Sequence, residues 1–137
     1  MNKRSERAFA IALYDCQKDL KLKKEECEKV GEELCKILKV RGVKSSYFKH
    51  NGGGVSYNLI IEESFIHIST WPEYGTLICY IASCNPESSP WEAKNYLESY
   101  FCPKEARIVY DISIPLSLYE NNKERIFKLL RQVFADK

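Results

Sequence analysis

The chain has 137 residues, 45% hydrophobic and 12% aromatic, with 21 Lys and Arg against 19 Asp and Glu. That length supports one domain, 1–137, with one core, and the composition excludes wholesale disorder, collagen-like repeats and coiled-coil rods. A net charge of +2, with no basic cluster beyond Lys21, Lys23 and Lys24, argues against nucleic acid as a partner.

Residues 8–14 (AFAIALY) form an apolar run of the kind a buried strand shows, followed by a polar stretch over 15–21. From Lys23 the spacing changes: Cys27, Val30, Leu34, Cys35 and Leu38 recur at three and four, with Glu25, Glu26, Glu32 and Glu33 on the other face. This predicts an amphipathic helix ending near residues 40–42. Residues 43–48 carry Val, Tyr and Phe and predict a strand. Asn51, Gly52, Gly53 and Gly54 then interrupt it with four residues that tolerate positive φ. Three more β-rich runs follow, over 55–61, 65–69 and 76–83. They are separated by Glu62-Glu63 and by the turn Trp71-Pro72-Glu73-Tyr74-Gly75.

Ser89 can cap a helix over 90–101 that has Pro90 in its first position and Glu92 in its third. Ala93, Tyr96, Leu97, Tyr100 and Phe101 recur at helical spacing within it. Residues 107–114 read as the last strand, stopped by Pro115. Ile126, Leu129, Leu130, Val133 and Phe134 then predict a C-terminal helix. The order β-α-β-β-β-β-α-β, with hairpins instead of steady β-α alternation, predicts an α+β fold. Its form is a two-layer sandwich, an antiparallel sheet with helices on one face, plus the extra C-terminal helix.

No apolar run reaches the roughly 18 to 20 residues of a membrane span, and no signal-length apolar segment follows the charged residues 1–7. A cytoplasmic address with no membrane partner is expected. The six cysteines, Cys16, Cys27, Cys35, Cys79, Cys84 and Cys102, form no CxxC pair and read as reduced thiols. With the nearest two five residues apart and only His50 and His67 as histidines, no metal is expected.

The densest run of unusual residues is Glu62 to Gly75, with Cys84 beyond it. Glu63-Ser64, followed after five residues by Thr70-Trp71-Pro72-Glu73-Tyr74-Gly75 and then Cys84, resembles the short prokaryotic and archaeal S-adenosylmethionine decarboxylases. Their signature reads approximately E-S-H-x-x-x-H-T-W-P-E. The strand ending Tyr14-Asp15-Cys16, a Gly54-Val55-Ser56 turn and the Pro90-Trp91 helix start also look like the family, so residues 8–114 are covered. Taken singly, Ser64 reads as a turn serine, Cys84 as a packed thiol and Glu73 as a surface carboxylate; their joint spacing carries the resemblance.

The resemblance implies a proenzyme that makes its own cofactor. Ser64 would attack the carbonyl of Glu63, and elimination would split the chain and turn Ser64 into a pyruvoyl group. That ketone would bind the amine of a small-molecule substrate and take up the electrons left when carbon dioxide departs. Carried over residue by residue, Cys84 returns a proton to the α-carbon, Glu73 holds the ribose hydroxyls, Trp71 offers a wall for adenine, and Ser56 assists processing. The activity implied is S-adenosylmethionine decarboxylation for spermidine synthesis, in a homodimer or a heterodimer with a paralogue.

Two positions depart from the pattern. Phe65 stands where the family has a histidine after the serine, and Ser69 stands where it has the processing histidine. A hydroxyl cannot take up a proton near neutral pH as an imidazole of reference pKa about 6.5 can. His67 shares the face of Ser69 but is displaced from it by roughly 6.6 to 7 Å along a strand. Three functions stay open: self-cleavage with His67 in the missing role, an uncleaved paralogue that binds S-adenosylmethionine or regulates an active subunit, and an arginine or ornithine decarboxylase. His50 reads as a loop-edge side chain, and the charged residues 21–33 as a solvated helix face.

Overall fold

The computed structural model describes residues 4–117 and 130–133. Its elements run β1 (Ser5–Tyr14), α1 (Lys24–Leu38), β2 (Gly42–Lys49), β3 (Val55–Ile61), β4 (Ser64–Trp71), β5 (Thr76–Ser83), α2 (Pro90–Phe101) and β6 (Glu105–Pro115), with a single 3-10 turn at Pro72–Tyr74. All six strands form one antiparallel sheet in the order β2-β3-β4-β5-β1-β6. This is the α+β sandwich expected. Residues 130–133 are helical and exposed; the rest of the predicted C-terminal helix lies outside the described residues.

Alternation sorts the strand residues onto two faces. Phe9, Ile11, Leu13, Tyr57, Leu59, Ile66, Ile68, Leu77, Cys79 and Ile81 point one way. They join Cys27, Val30, Leu34 and Leu38 of α1 with Ala93, Leu97 and Phe101 of α2 in one core. Both helices therefore cover the same face. Helix α1 starts where Glu26 Oε1 accepts the Lys23 backbone N–H at 3.1 Å, and it ends at Leu38 because Lys39 turns left-handed at φ 57°. Helix α2 begins as its sequence predicts, with Ser89 Oγ accepting the Glu92 N–H at 3.3 Å and Pro90 in the first position. No helix of the described residues is long and apolar enough to cross a membrane.

Strand β1 begins at Ser5, three residues before the apolar run. There Ser5 pairs with Pro115 and Glu6 with Ile114, so the sheet, not hydrophobicity, extends the strand. The loop at 51–54 also differs from its expectation. Of its four residues only Gly53 takes positive φ, at 90°. Gly54 is required for space instead: a Cβ there would lie 2.5 Å from the carbonyl oxygen of Thr70. Val55 and Ser56 belong to β3, not to a turn.

Thr70, from the conspicuous Thr-Trp-Pro-Glu run, is 5% exposed and plays a structural part. Its Oγ1 accepts the Val55 N–H at 2.9 Å and donates to the Leu20 carbonyl at 2.9 Å, which ties the incoming loop to the sheet. Thr70→Val keeps the shape but leaves that donor and that acceptor buried without a partner. A loss of about 2 to 3 kcal/mol is expected, read as a lower denaturant midpoint at unchanged slope.

Candidate active site

Three segments meet at one end of the sheet: the start of β1, the tight β3–β4 turn at Glu62-Glu63, and the end of β5 running into Cys84. Register fixes this, because Ser83 pairs with Ser64 on one side and with Arg7 on the other. The Glu63–Ser64 bond lies between two concavities. Glu63 lines one of about 1070 Å³ together with Cys84, Arg4 and Arg41, and Ser64 lines one of about 480 Å³ with Phe65, His67 and Tyr80.

The backbone at Ser64 is unusual. Its φ is 149°, a conformation that residues with a Cβ rarely adopt and that costs on the order of 1–3 kcal/mol. The hydroxyl is engaged as well: Ser64 Oγ donates to Glu6 Oε1 at 2.7 Å, across the end of β5. On the other side of the bond Arg4 Nη2 holds Glu63 Oε2 at 2.8 Å. Cys84 is partly exposed, and burial pushes its thiol above the ordinary value. The carboxylates of Glu6 and Glu63 push the same way, and Arg4 opposes them. Cys84 therefore carries its proton at neutral pH.

The other predicted residues lie at the opposite end. Ser69 is five residues along β4 from Ser64 and Trp71 seven, so roughly 17 Å and 23 Å of strand separate them. Ser56 pairs with Ser69 across β3 and β4, and Glu73 sits in the 3-10 turn beyond, exposed, with its Oε2 beside Gly52. His67 stands between the two groups. Its Nε2 is 2.9 Å from Ser69 Oγ, and burial lowers its pKa, so the ring is neutral at pH 7. His50 is more than a loop-edge side chain, since its Nε2 lies 2.8 Å from Ser56 Oγ. One chain thus gathers Glu63, Ser64 and Cys84 at one end, and Ser56, Ser69, Trp71 and Glu73 at the other.

Sequence reasoning missed Glu6 and Arg4. Each meets a partner nearly sixty residues away, and neither belongs to a motif or an apolar period. No side-chain signal locates them; only the β1–β5–β4 register does. None of the six cysteines is paired with another. Among the described residues no three His, Cys, Asp or Glu side chains gather as a metal site would need.

The face of the sheet away from the helices carries Ala8, Ala10, Ala12, Asn58, Ile60, Phe65, His67, Ile78, Tyr80, Tyr110 and Ile112, aligned in register across the strands. Ile60, Phe65, Trp71, Tyr110, Ile112 and Ile114 on this face are each more than a third exposed. Glu6 is a charged side chain of this face at the Ser64 end, and Lys44, paired with Ile60, is another.

A family model described as S-adenosylmethionine decarboxylase matches residues 7–111. An S-adenosylmethionine decarboxylase proenzyme of Thermosipho melanesiensis is 32% identical over 103 residues, 75% of this chain and 79% of that protein. One of Saccharolobus islandicus is 35% identical over 88 residues, 63% of this chain and 70% of the other. The crystal structure of the adenosylmethionine decarboxylase from Aquifex aeolicus shares the fold with a TM-score of 0.67 at 21% identity, covering 82% of this chain and 90% of that one. The chain therefore belongs to the S-adenosylmethionine decarboxylase family and, with it, to the decarboxylating lyases.

Proposed function

We propose that the chain decarboxylates S-adenosylmethionine, supplying aminopropyl groups for spermidine synthesis in the cytoplasm, with a pyruvoyl group made from its own Ser64. The observation that carries this reading is the strained φ of 149° at Ser64, on the carboxyl side of the Glu63–Ser64 bond that the family motif marks for cleavage. Cleavage there releases the strain. The surroundings suit the resulting group, since position 64 opens on a concavity lined by Phe65, His67 and Tyr80, while Glu63 on the other side of the bond shares its concavity with Cys84.

Once formed, the pyruvoyl group supplies a carbonyl that takes up the electrons left as carbon dioxide leaves. The chain's own side chains do the rest. Cys84 donates the proton that replaces the carboxyl group, Glu73 takes the ribose hydroxyls, and Trp71 gives adenine an aromatic wall. Because Glu73 and Trp71 lie at the far end of β4, the substrate site takes them from a second copy. The apolar open face of the sheet is the surface that would pair, and a homodimer joined there has two equivalent sites. Ser56 and Ser69 of one chain, with His50 and His67 on their hydroxyls, belong to the same far group.

Intact mass tests the reading. The 63 and 74 residues on either side of the bond apportion the 16.0 kDa as about 7.4 and 8.6 kDa. Purified protein is expected as these two pieces, the larger with a blocked, keto-bearing first residue. A single 16.0 kDa species that persists for days overturns the proposal and leaves an uncleaved chain.

A further inference from the structure

Arg4, just before β1, and Glu6, its second residue, grip both sides of one peptide bond. Arg4 Nη2 reaches Glu63 Oε2 at 2.8 Å, and two positions on, Glu6 Oε1 accepts the hydrogen of Ser64 Oγ at 2.7 Å. A serine hydroxyl is a weak nucleophile unless a neighbouring base takes its proton as it attacks. The family's histidine is absent at position 69, which holds serine in every copy, whether the group meets Ser64 from its own chain or from a second one. His67, in this chain or in a second copy, has its Nε2 on Ser69 Oγ at 2.9 Å. The hydroxyl of Ser64 points its proton at Glu6 instead.

We propose that Glu6 is the base that starts cleavage of the chain; this rests on the reading that Ser64 breaks its own backbone. Ser64 Oγ gives its proton to the Glu6 carboxylate as the Oγ–C bond forms to the Glu63 carbonyl carbon. The Glu63–Ser64 C–N bond then breaks, and Glu6 passes the proton to the departing nitrogen. The product is an ester of unchanged composition, with Glu6 back as carboxylate. Elimination follows: the Ser64 Cα proton passes to solvent, the Cβ–Oγ bond breaks, Glu63 leaves as a carboxylate, and a solvent proton returns to Cβ as the enamine becomes an imine. Water then replaces the nitrogen, which departs as ammonia, leaving the ketone. No oxidant or reductant is consumed.

Arg4 has a complementary role as a positioning residue. By occupying the Glu63 carboxylate it holds that side chain away from Ser64 Oγ and fixes one flank of the bond, while Glu6 orients the other. Both grips come from the chain's entry into β1, whose register beside Ser83 is set by seven residue pairs with β5.

The test follows freshly translated chain by denaturing gel and intact mass over time, with folding checked by circular dichroism. Glu6→Gln keeps the size and an acceptor oxygen but not the basicity, and is expected to slow the appearance of the two pieces on the order of 10²-fold or more. Glu6→Ala removes the group, and added formate is expected to speed its cleavage in proportion to formate concentration. Cleavage of Glu6→Gln at the parent rate overturns the proposal. So does a slow Glu6→Ala chain that formate does not accelerate, which would make Glu6 merely structural. A parent chain that itself never splits is a different result: it removes the reading of Ser64 as a self-cleaving residue, and Glu6 with it.

Discussion

Protein carrying Cys84→Ala is expected to split at Glu63–Ser64 as the parent does, yet to lose decarboxylation by about 10²- to 10⁴-fold, the usual worth of a positioned acid. The two readouts separate because the thiol is absent from the hydrogen bonds and ion pair that hold the scissile bond, which belong to Glu6 and Arg4. Gel analysis follows the split, and carbon dioxide release from carboxyl-labelled substrate follows the reaction. The pH profile adds a second check. Burial first, and Glu6 and Glu63 next, raise the Cys84 pKa against the opposing pull of Arg4, so the protonated form extends to higher pH than for a free thiol. A proton donor loses activity as pH rises through its pKa. The parent's kcat should therefore fall on an alkaline limb above the ordinary thiol value of about 8.5, and that limb should be missing from the residual activity of the variant.

The same thiol shows which parts of the site could be read from residue order. Glu63-Ser64 and Cys84 were recognisable because motif spacing survives divergence. Their approach in space follows from two hairpins, whose period-two alternation was equally visible in residues 55–61 and 76–83. The side chain that meets the Ser64 hydroxyl was hidden. The resemblance drew attention to Ser69, whose hydroxyl is no base, and the strand period to His67 on the same face; within one chain both lie along the extended strand away from Ser64. Glu6, 58 residues away, is the side chain in contact, because β1 lies one strand beyond β5. The φ of Ser64 was hidden for a related reason, since a strained backbone is imposed by the surrounding pairing and leaves no mark on residue type. The loop at 51–54 shows a milder form of this: its glycines marked a turn, but whether each served rotation or clearance depended on where Thr70 lay.

That separation along β4 has a quantitative consequence. Ser64→Ala and Glu73→Ala, each purified alone, are both expected to lack decarboxylation, the first for want of the ketone and the second for want of its ribose ligand. Glu73 is nine residues from Ser64, beyond the far end of the strand, so each chain retains one sound half-site. If Glu73 serves the Ser64 of a second copy, a heterodimer has one site with both residues and one with neither. Refolding equal amounts together makes half of the dimers mixed on random pairing, so about a quarter of all sites should work. Recovery of roughly a quarter of parental activity, with the Ser64→Ala chain still whole by mass, is the expected result. If the site were built within one chain, mixing would return no more than the average of the two inactive samples. Charge placed on the pairing face supplies the control. Phe65→Lys or Ile112→Lys sets an unpaired cation on the apolar side of the sheet, and should abolish both the recovery and the dimer measured by sedimentation.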